Sequence, residues 1–298
     1  MHPSFQLTYQ QMPLSMVIKS RFLPFVSSAI LLLLLCTNCQ SSTKKPAPEA
    51  GATIAAAKGD SFQNKLKVVH VFVALCDNKF QGIQPVPKAI GNGKDPEQNL
   101  YWGCDYGLRA FFKKYTEWKL VRTIHHPADH VLERCVFKHA RFNNYLVADA
   151  YDGEFIKKCT ADFLEACAGK QQQKLTVSKD TVGIGGNAQL LAYIGHDGLM
   201  DFKLDSIPHR ANTSKREAII LACASKEYFA GTIQQTGAKP LLWTTQLMCP
   251  EAYTLDAALT GWLNKETDQQ IHQRAATAYS KYQHCSVKAA GGLLATGY

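Results

Sequence analysis

Two short hydrophobic runs, each ending in a reactive side chain, constrain this chain of 298 residues more than any other feature. The first run covers residues 190–195 and leads to His196, and the second covers residues 218–222 and leads to Cys223. Both runs are short, continuous and apolar, which is typical of strands buried on both faces of a parallel sheet. Ligands of an open α/β sheet bind beyond the carboxyl ends of its strands. We therefore expect His196 and Cys223 to share a crevice if their strands are neighbours.

The remainder of the folded part alternates between strand-like and helix-like segments. This alternation predicts the α/β class, with a mostly parallel sheet flanked by helices in a three-layer sandwich. One such domain accounts for residues 63–298. Strands are predicted over residues 68–76, 118–124, 145–151 and, as the last strand, 240–245, and helices over 106–115, 154–168, 250–263 and 267–282.

The sequence predicts neither a cofactor nor a metal. The glycine-rich segment Gly183–Asn187 precedes a strand, whereas a phosphate-binding loop follows a strand and opens a helix. The segment His125–His130 holds three histidines, but Pro127 breaks any helix that would set the spacing of metal ligands, so we interpret it as a polar turn. No Cys-x-x-Cys pair occurs within residues 63–298, which argues against a zinc ribbon.

The formal net charge of +9 is spread along the chain. It forms no long run of lysine and arginine and accompanies no nucleic-acid-binding motif, so nucleic acid is not a predicted partner. A solvated basic surface close to anionic lipid is the interpretation that we prefer.

The N-terminal region has the pattern of an export signal. Residues 16–21 form a short basic segment, and residues 22–36 form an apolar segment that is too short for a comfortable transmembrane span of about 20 residues. A cysteine directly after the apolar segment, followed by polar residues, resembles a bacterial lipoprotein signal. Residues 1–38 are therefore predicted to be a lipoprotein signal peptide, and an uncleaved anchor helix is the alternative.

Cys39 is the predicted lipid attachment site, because Cys36 still belongs to the apolar segment. Residues 39–62 are small, polar and rich in proline and alanine, which indicates a flexible tether. The predicted location is the bacterial cell envelope, with the protein held on a lipid bilayer by its N-terminal acyl chains. Gln40 is not the aspartate associated with inner-membrane retention, which favours the outer membrane.

An imidazole beside a thiol is a simple way to generate a nucleophilic thiolate. Cys223 is the candidate nucleophile, and His196 is the candidate acid–base group that activates it and protonates the leaving group. The backbone N–H groups near Gly198 and at Cys223 are candidate oxyanion donors, since a glycine lets the substrate approach closely.

These residues resemble the motifs of the caspase-like cysteine peptidases, which include gingipains, clostripain, legumain and separase. That family carries a hydrophobic strand ending in His-Gly and an adjacent strand ending in Ala-Cys, and here Tyr193–His196 and Leu221–Cys223 are similar to the two motifs. The order, with histidine before cysteine, agrees as well. An acid, Asp197, stands between the histidine and Gly198. The resemblance implies a caspase-like fold and hydrolysis of peptide bonds in a peptide or protein substrate.

Two classes of protein fit these observations. One is a cysteine endopeptidase tethered to a membrane; the alternative is a non-catalytic caspase-like lipoprotein that binds a ligand or a surface partner through the same crevice. Asp77, Asn78, Asp149 and Asp152 are also predicted close to strand ends, where each suits a turn or a helix cap equally well. A long loop rich in glycine, proline and asparagine follows the first predicted strand over residues 81–103, and the candidates for a recognition surface around it are Tyr101, Trp102 and Arg109.

Overall fold

The computed structural model describes residues 66–298. The predicted signal peptide, the tether and Cys39 lie outside these residues. Ten strands are described: β1 (Lys67–Ala74), β2 (Trp118–Ala128), β3 (Val131–His139), β4 (Asn144–Tyr151), β5 (Gln173–Val177), β6 (Asp180–Ile184), β7 (Leu190–Ile194), β8 (Glu217–Leu221), β9 (Lys239–Thr244) and β10 (Leu294–Ala295). The α-helices are α1 (Leu108–Tyr115), α2 (Ile156–Cys167), α3 (Ser225–Thr236), α4 (Ala252–Leu263), α5 (Asp268–Gln283) and α6 (Val287–Leu293).

Eight of the strands form one mixed sheet in the order β10-β9-β8-β7-β1-β4-β3-β2. The five central strands, from β9 to β4, are parallel to one another. The edges are antiparallel, because β10 pairs with β9 on one side and β3 and β2 follow β4 on the other. Strands β5 and β6 form a separate antiparallel hairpin.

Helices cover both faces of the sheet, and this confirms the predicted α/β class with a mostly parallel sheet between helical layers. Alternate residues of β1 belong to different cores: Val69, Val71 and Val73 pack with helices α1, α4, α5 and α6, whereas Val68 and Phe72 pack with α2, α3 and the hairpin. A strand that is covered on both faces has no solvent side, which explains why its sequence is continuously apolar.

Several elements differ from the sequence-based expectation. The predicted polar turn at His125–His130 was wrong in extent, because β2 continues through Ala128 and the turn is confined to Asp129–His130. The segment 240–245 is not the last strand, since the two-residue strand β10 follows it. Strand β3, the β5–β6 hairpin and helix α6 were not predicted. Within residues 66–298, no helix is long and apolar enough to cross a membrane.

A fully buried polar network connects three elements on the α2 side of the sheet. Arg134 on β3 donates two hydrogen bonds of 2.6 Å to the carboxylate of Asp149 on β4. His70 on β1 lies 3.1 Å from the same carboxylate through Nε2, and its Nδ1 accepts the N–H of Gly185 at 3.1 Å. Burial by itself would raise the pKa of Asp149, but the hydrogen bonds from Arg134 and the contact with His70 outweigh it and hold that pKa below its ordinary value.

Candidate active site

The strand that leads to His196 and the strand that leads to Cys223 are parallel neighbours in the sheet. Strands β7 and β8 pair with Ile194 opposite Leu221, and the N–H of Gly195 donates to the Leu221 carbonyl at 3.3 Å. His196 and Cys223 each follow two residues after that last pair. The two side chains therefore belong to the same carboxyl edge of the sheet, where α/β proteins place their ligands.

His196 occupies a tightly constrained position at the end of β7. Gly195 before it has φ of +149°, and a Cβ there would lie 2.9 Å from the carbonyl oxygen of Ala74, so this turn requires glycine. The hydroxyl of Tyr193 donates to the His196 carbonyl at 2.8 Å. The imidazole is 7% exposed, so its orientation is set by the protein rather than by solvent.

Asp201 is the partner of this imidazole. Nε2 of His196 lies 2.7 Å from Oδ2 of Asp201, and the same carboxylate accepts the backbone N–H of Gly82 at 2.9 Å. Asp201 thus links His196 to the long loop after β1. Asp201 was not predicted from the sequence, because it follows a short 3₁₀ turn (Gly198–Met200) and has the local pattern of any turn residue.

Cys223 lies between the end of β8 and the start of α3 and is partly exposed. Ala224 next to it has φ of +48°, a left-handed conformation that turns the chain sharply into the helix. The thiol lies 3.6 Å from the carbonyl oxygen of Met248, and the N–H of Met248 donates to Sγ at 3.4 Å. These two contacts with the Met248 backbone hold the thiol in place.

The electrostatic surroundings keep the resting Cys223 in its thiol form. Burial raises the pKa of Cys223, the hydrogen bond from Met248 lowers it, and the nearby Asp197 raises it again, with a net upward shift. No hydrogen bond joins the His196 imidazole to the thiol within the part of the chain that the structure describes. The N-terminus of α3 follows Cys223 directly and favours a thiolate once it forms.

Gly198, the predicted oxyanion residue, opens the 3₁₀ turn after His196 and is buried. A Cβ at this position would lie 2.5 Å from the tip of the half-buried Phe202 ring, so a side chain here would displace that ring. Its carbonyl accepts the N–H groups of Asp201 and Phe202, both at 2.9 Å. The role of Gly198 as an oxyanion donor stays a prediction.

Asp197, the acid inserted between His196 and Gly198, has a completely buried carboxyl group. Its Oδ1 accepts the Leu199 N–H at 3.0 Å, whereas Oδ2 has no hydrogen-bond partner among residues 66–298. Burial raises the pKa of Asp197 to about 7, with a further contribution from the charge of Asp201. The carboxyl is thus placed to change its charge near neutral pH beside Cys223.

We expect Asp197→Asn to increase the alkylation rate of Cys223 by iodoacetamide above pH 7. Ionised Asp197 raises the pKa of the Cys223 thiol. In the wild type, the alkylation rate should therefore rise less steeply with pH above pH 7 than it would for a thiol with one constant pKa. The fraction of Cys223 in the thiolate form, and with it the alkylation rate, should increase about tenfold for each unit by which the pKa of Cys223 falls. Mass spectrometry of the Cys223 peptide between pH 5 and 9 measures it. Asp205→Asn is the matched control, and coincident profiles for wild type and Asp197→Asn would contradict the prediction.

The other residues predicted near strand ends have structural roles. Asp77 accepts the N–H groups of Lys79, Phe80 and Gly93 and so organises its loop. Asp152 accepts the N–H of Glu154 ahead of α2, and Asp149 lies inside the sheet rather than at its edge.

The candidate recognition residues of the long loop are not free to meet a ligand. Tyr101 and Trp102 are buried in the core, so the prediction that they form a recognition surface is wrong. The indole N–H of Trp102 donates to Glu133 at 2.8 Å. Arg109 is paired with Glu97 and with Glu133.

All eight cysteines of residues 66–298 are free, and four of them are buried. Burial raises the pKa of Cys135 and Cys167 well above the ordinary range of a thiol. Such core cysteines are unreactive in the folded protein. No group of three or more metal-ligating side chains is present in this same part of the chain.

Comparison with known proteins does not place this chain in a family. No protein-family model matches it, and neither a curated protein nor a solved structure matches it. The candidate function therefore follows from the geometry of the two strand ends.

Proposed function

We propose that this protein is an exported, lipid-anchored cysteine peptidase in which Cys223 is the nucleophile and His196 is the acid–base group. The observation that carries the proposal is the pairing of β7 with β8, which brings both residues to the carboxyl edge of the sheet in the same register. The resemblance of the two motifs to those of caspase-like peptidases supports it. The location in the cell envelope, with the outer membrane preferred, depends on the predicted signal peptide and on Cys39.

The contacts of His196 define how the dyad would work. Because Nε2 faces the Asp201 carboxylate, Nε2 carries the ring proton of the neutral imidazole, and Nδ1 keeps its lone pair. Nδ1 has no hydrogen-bond partner among residues 66–298, so it is the nitrogen that would accept the thiol proton. Asp201 would stabilise the imidazolium that results, as an orienting carboxylate does in other catalytic triads.

Peptide hydrolysis would then proceed in two steps, acylation of Cys223 and hydrolysis of the resulting thioester. Sγ of Cys223 attacks the scissile carbonyl carbon while its proton passes to His196, and backbone N–H groups stabilise the oxyanion. The C–N bond breaks, the amine leaves with the proton from His196, and a thioester remains. Water deprotonated by His196 attacks the thioester, which releases the acid and restores the thiol.

Active-site labelling of the purified full-length protein tests this proposal. A panel of peptidyl acyloxymethyl ketones with Arg, Lys, Asp or Asn next to the reactive group is added, and adducts are mapped by mass spectrometry. We expect an adduct on Cys223 that is lost in His196→Ala and kept in Cys249→Ser, the matched variant of a neighbouring, partly exposed cysteine. The peptide that labels fastest identifies the substrate preference.

A non-catalytic binding protein is the second candidate, and two observations favour it. The pKa of Cys223 is raised by burial, and the imidazole contacts Asp201 rather than the thiol. If Cys223 reacts with none of the peptides and resists iodoacetamide until denaturant is added, it is a core thiol. That result would replace the peptidase with a protein that binds through the crevice.

A further inference from the structure

An open groove lies among helices α1, α4 and α5, on the face of the sheet that these helices cover. Its volume is about 620 Å³, comparable with that of small-molecule sites. None of His196, Cys223 and Asp201 lines it, so it is separate from the candidate active site. Its walls include Phe111, Tyr115, Tyr253, Asp256, Arg274 and Tyr282.

Aromatic rings form much of the wall of this groove. Tyr253 and Tyr282 are stacked, with ring centroids 4.3 Å apart and planes 8° from parallel. Phe111 meets Tyr282 edge-on at 5.9 Å, and Tyr115, which is 47% exposed, lies 5.3 Å from Phe111. Phe111 and Tyr253 are buried in the core, whereas Tyr282 is half-buried and Tyr115 is exposed, so the last two rings present polarisable surface and a phenol to the groove.

Asp256 contributes the one carboxyl group in the groove that has no partner among residues 66–298. It follows Tyr253 by three residues on α4, so both side chains are on one face of the helix. The other acid in the groove, Glu266, is paired with Arg274 at 2.6 Å. Both rings that are exposed to the groove already contact an ammonium group of the chain itself: Lys281 lies 5.3 Å from the centroid of Tyr282, and Lys114 lies 4.9 Å from that of Tyr115.

Asp256 is half-buried, so its carboxylate beside the aromatic walls is incompletely solvated and a positive group that joins it is favoured. Burial raises the pKa of Asp256 to about 7, and the negative charge of Glu117 adds to that shift. A ligand that carries a positive charge would offset both effects. Ammonium and guanidinium groups also bind the faces of tyrosine and phenylalanine rings. A metal ion fits poorly, because a single carboxylate supplies too few oxygen ligands.

We propose that this groove binds an organic cation, an ammonium or guanidinium group, with Asp256 as its counter-ion and Tyr115 and Tyr282 as its aromatic walls. The cation belongs either to a free amine or to a lysine or arginine side chain of a peptide. The proposal does not depend on the activity of Cys223.

Binding should strengthen as the pH rises, because the carboxylate must be ionised. Only about a tenth of Asp256 is ionised at pH 6 and about nine tenths at pH 8, so we expect the affinity to be about tenfold higher at pH 8. The charged and titratable groups around the carboxyl are Glu117 before β2, Glu266 before α5, Arg274 and Lys281 on α5, and the phenols of Tyr115, Tyr253 and Tyr282.

Calorimetric titration of the full-length protein tests the proposal. The probes are N-propylguanidinium, tetraethylammonium and a short arginine-containing peptide, with N-propylurea as the neutral control. We expect the cations to bind at pH 8 and about tenfold more weakly at pH 6, and the urea not to bind. Tighter binding of the peptide than of N-propylguanidinium would assign the site to side chains, and the reverse would assign it to free amines.

Matched variants separate the role of Asp256 from a general change in charge. Asp256→Asn should lose cation binding at both pH values. Tyr282→Leu should weaken cation binding severalfold, and it tests the site independently of whether Asp256→Asn folds. Asp129→Asn, which removes a charge from an exposed turn, should bind like wild type, and so should His196→Ala. Equal affinity in Asp256→Asn and wild type, equal binding of the neutral urea, or no binding of any cation at pH 8 would overturn the proposal.

Discussion

Arg134→Met should lower the free energy of unfolding by about 3–5 kcal/mol, the cost typical of removing one partner of a buried ion pair. Asp149 is fully buried and receives both of its shortest hydrogen bonds from Arg134. Without that guanidinium, His70 is the remaining side-chain donor to a charge that cannot reach water. Equilibrium unfolding in urea, followed by tryptophan fluorescence, measures the change.

The expected loss comes from an uncompensated charge and not from altered packing, and a second substitution distinguishes the two. Arg134→Met combined with Asp149→Asn removes that charge and should recover part of the stability. Lys138→Met is the matched control on the same strand, because Lys138 pairs with Asp180 at a site where its side chain is 40% exposed. Exposed pairs contribute about 0–1 kcal/mol. A cost below about 1 kcal/mol for Arg134→Met would contradict the prediction.

The pH dependence of this network has a definite sign. The pKa of Asp149 is lower in the folded protein than its ordinary value, so the carboxylate stabilises the fold above the unfolded pKa of about 4. This contribution is lost as the pH falls through the folded pKa. Asp197 and Asp256 behave in the opposite way, because their raised pKa values disfavour the ionised form in the folded protein.

The central strands could be predicted from the sequence, and the edges could not. Strands β1, β7 and β8 are covered by helices on both faces, so their sequences are continuously apolar and easy to recognise. Strand β3 contains Glu133, Arg134 and Lys138, whose charges are satisfied by partners on other elements and do not mark a strand locally. Strand β10 is two residues long, and only its pairing with β9 defines it.

Only part of the candidate site could be predicted from the sequence. His196 and Cys223 each end an apolar run, so their strands could be identified, whereas the pairing of β7 with β8 was only a condition of the prediction and is established by the structure. Asp201 could not be identified, because its contact with His196 depends on the path of the turn after Gly198. Asp149 was expected near a strand end, although the predicted strand already ran to residue 151, and the structure places it in the core, where it is paired with Arg134 and His70.

His196→Ala is expected to lower the rate of peptide hydrolysis by about 10²- to 10⁴-fold, the usual contribution of a general acid–base group. The substrate is the peptide that labels Cys223 fastest, with a fluorogenic amide in place of the reactive group. Because the imidazole would act on the transition state and not on bound substrate, kcat and kcat/KM should fall together while KM changes little. Cys223→Ala should abolish turnover.

Asp201→Asn should produce a smaller loss than His196→Ala, about 10²-fold, since the imidazole remains but its tautomer and orientation are no longer fixed by a carboxylate. The kinetic constants separate this role from a structural one: loss of a positioning group should lower kcat while KM and the urea unfolding midpoint stay at their wild-type values. His209→Ala, an exposed histidine on the loop between β7 and β8, is the matched control and should keep the wild-type rate. Hydrolysis that survives in His196→Ala but not in Cys223→Ala would assign the base to another group, and the ionisable carboxyl of Asp197 beside the thiol would be the next residue to test.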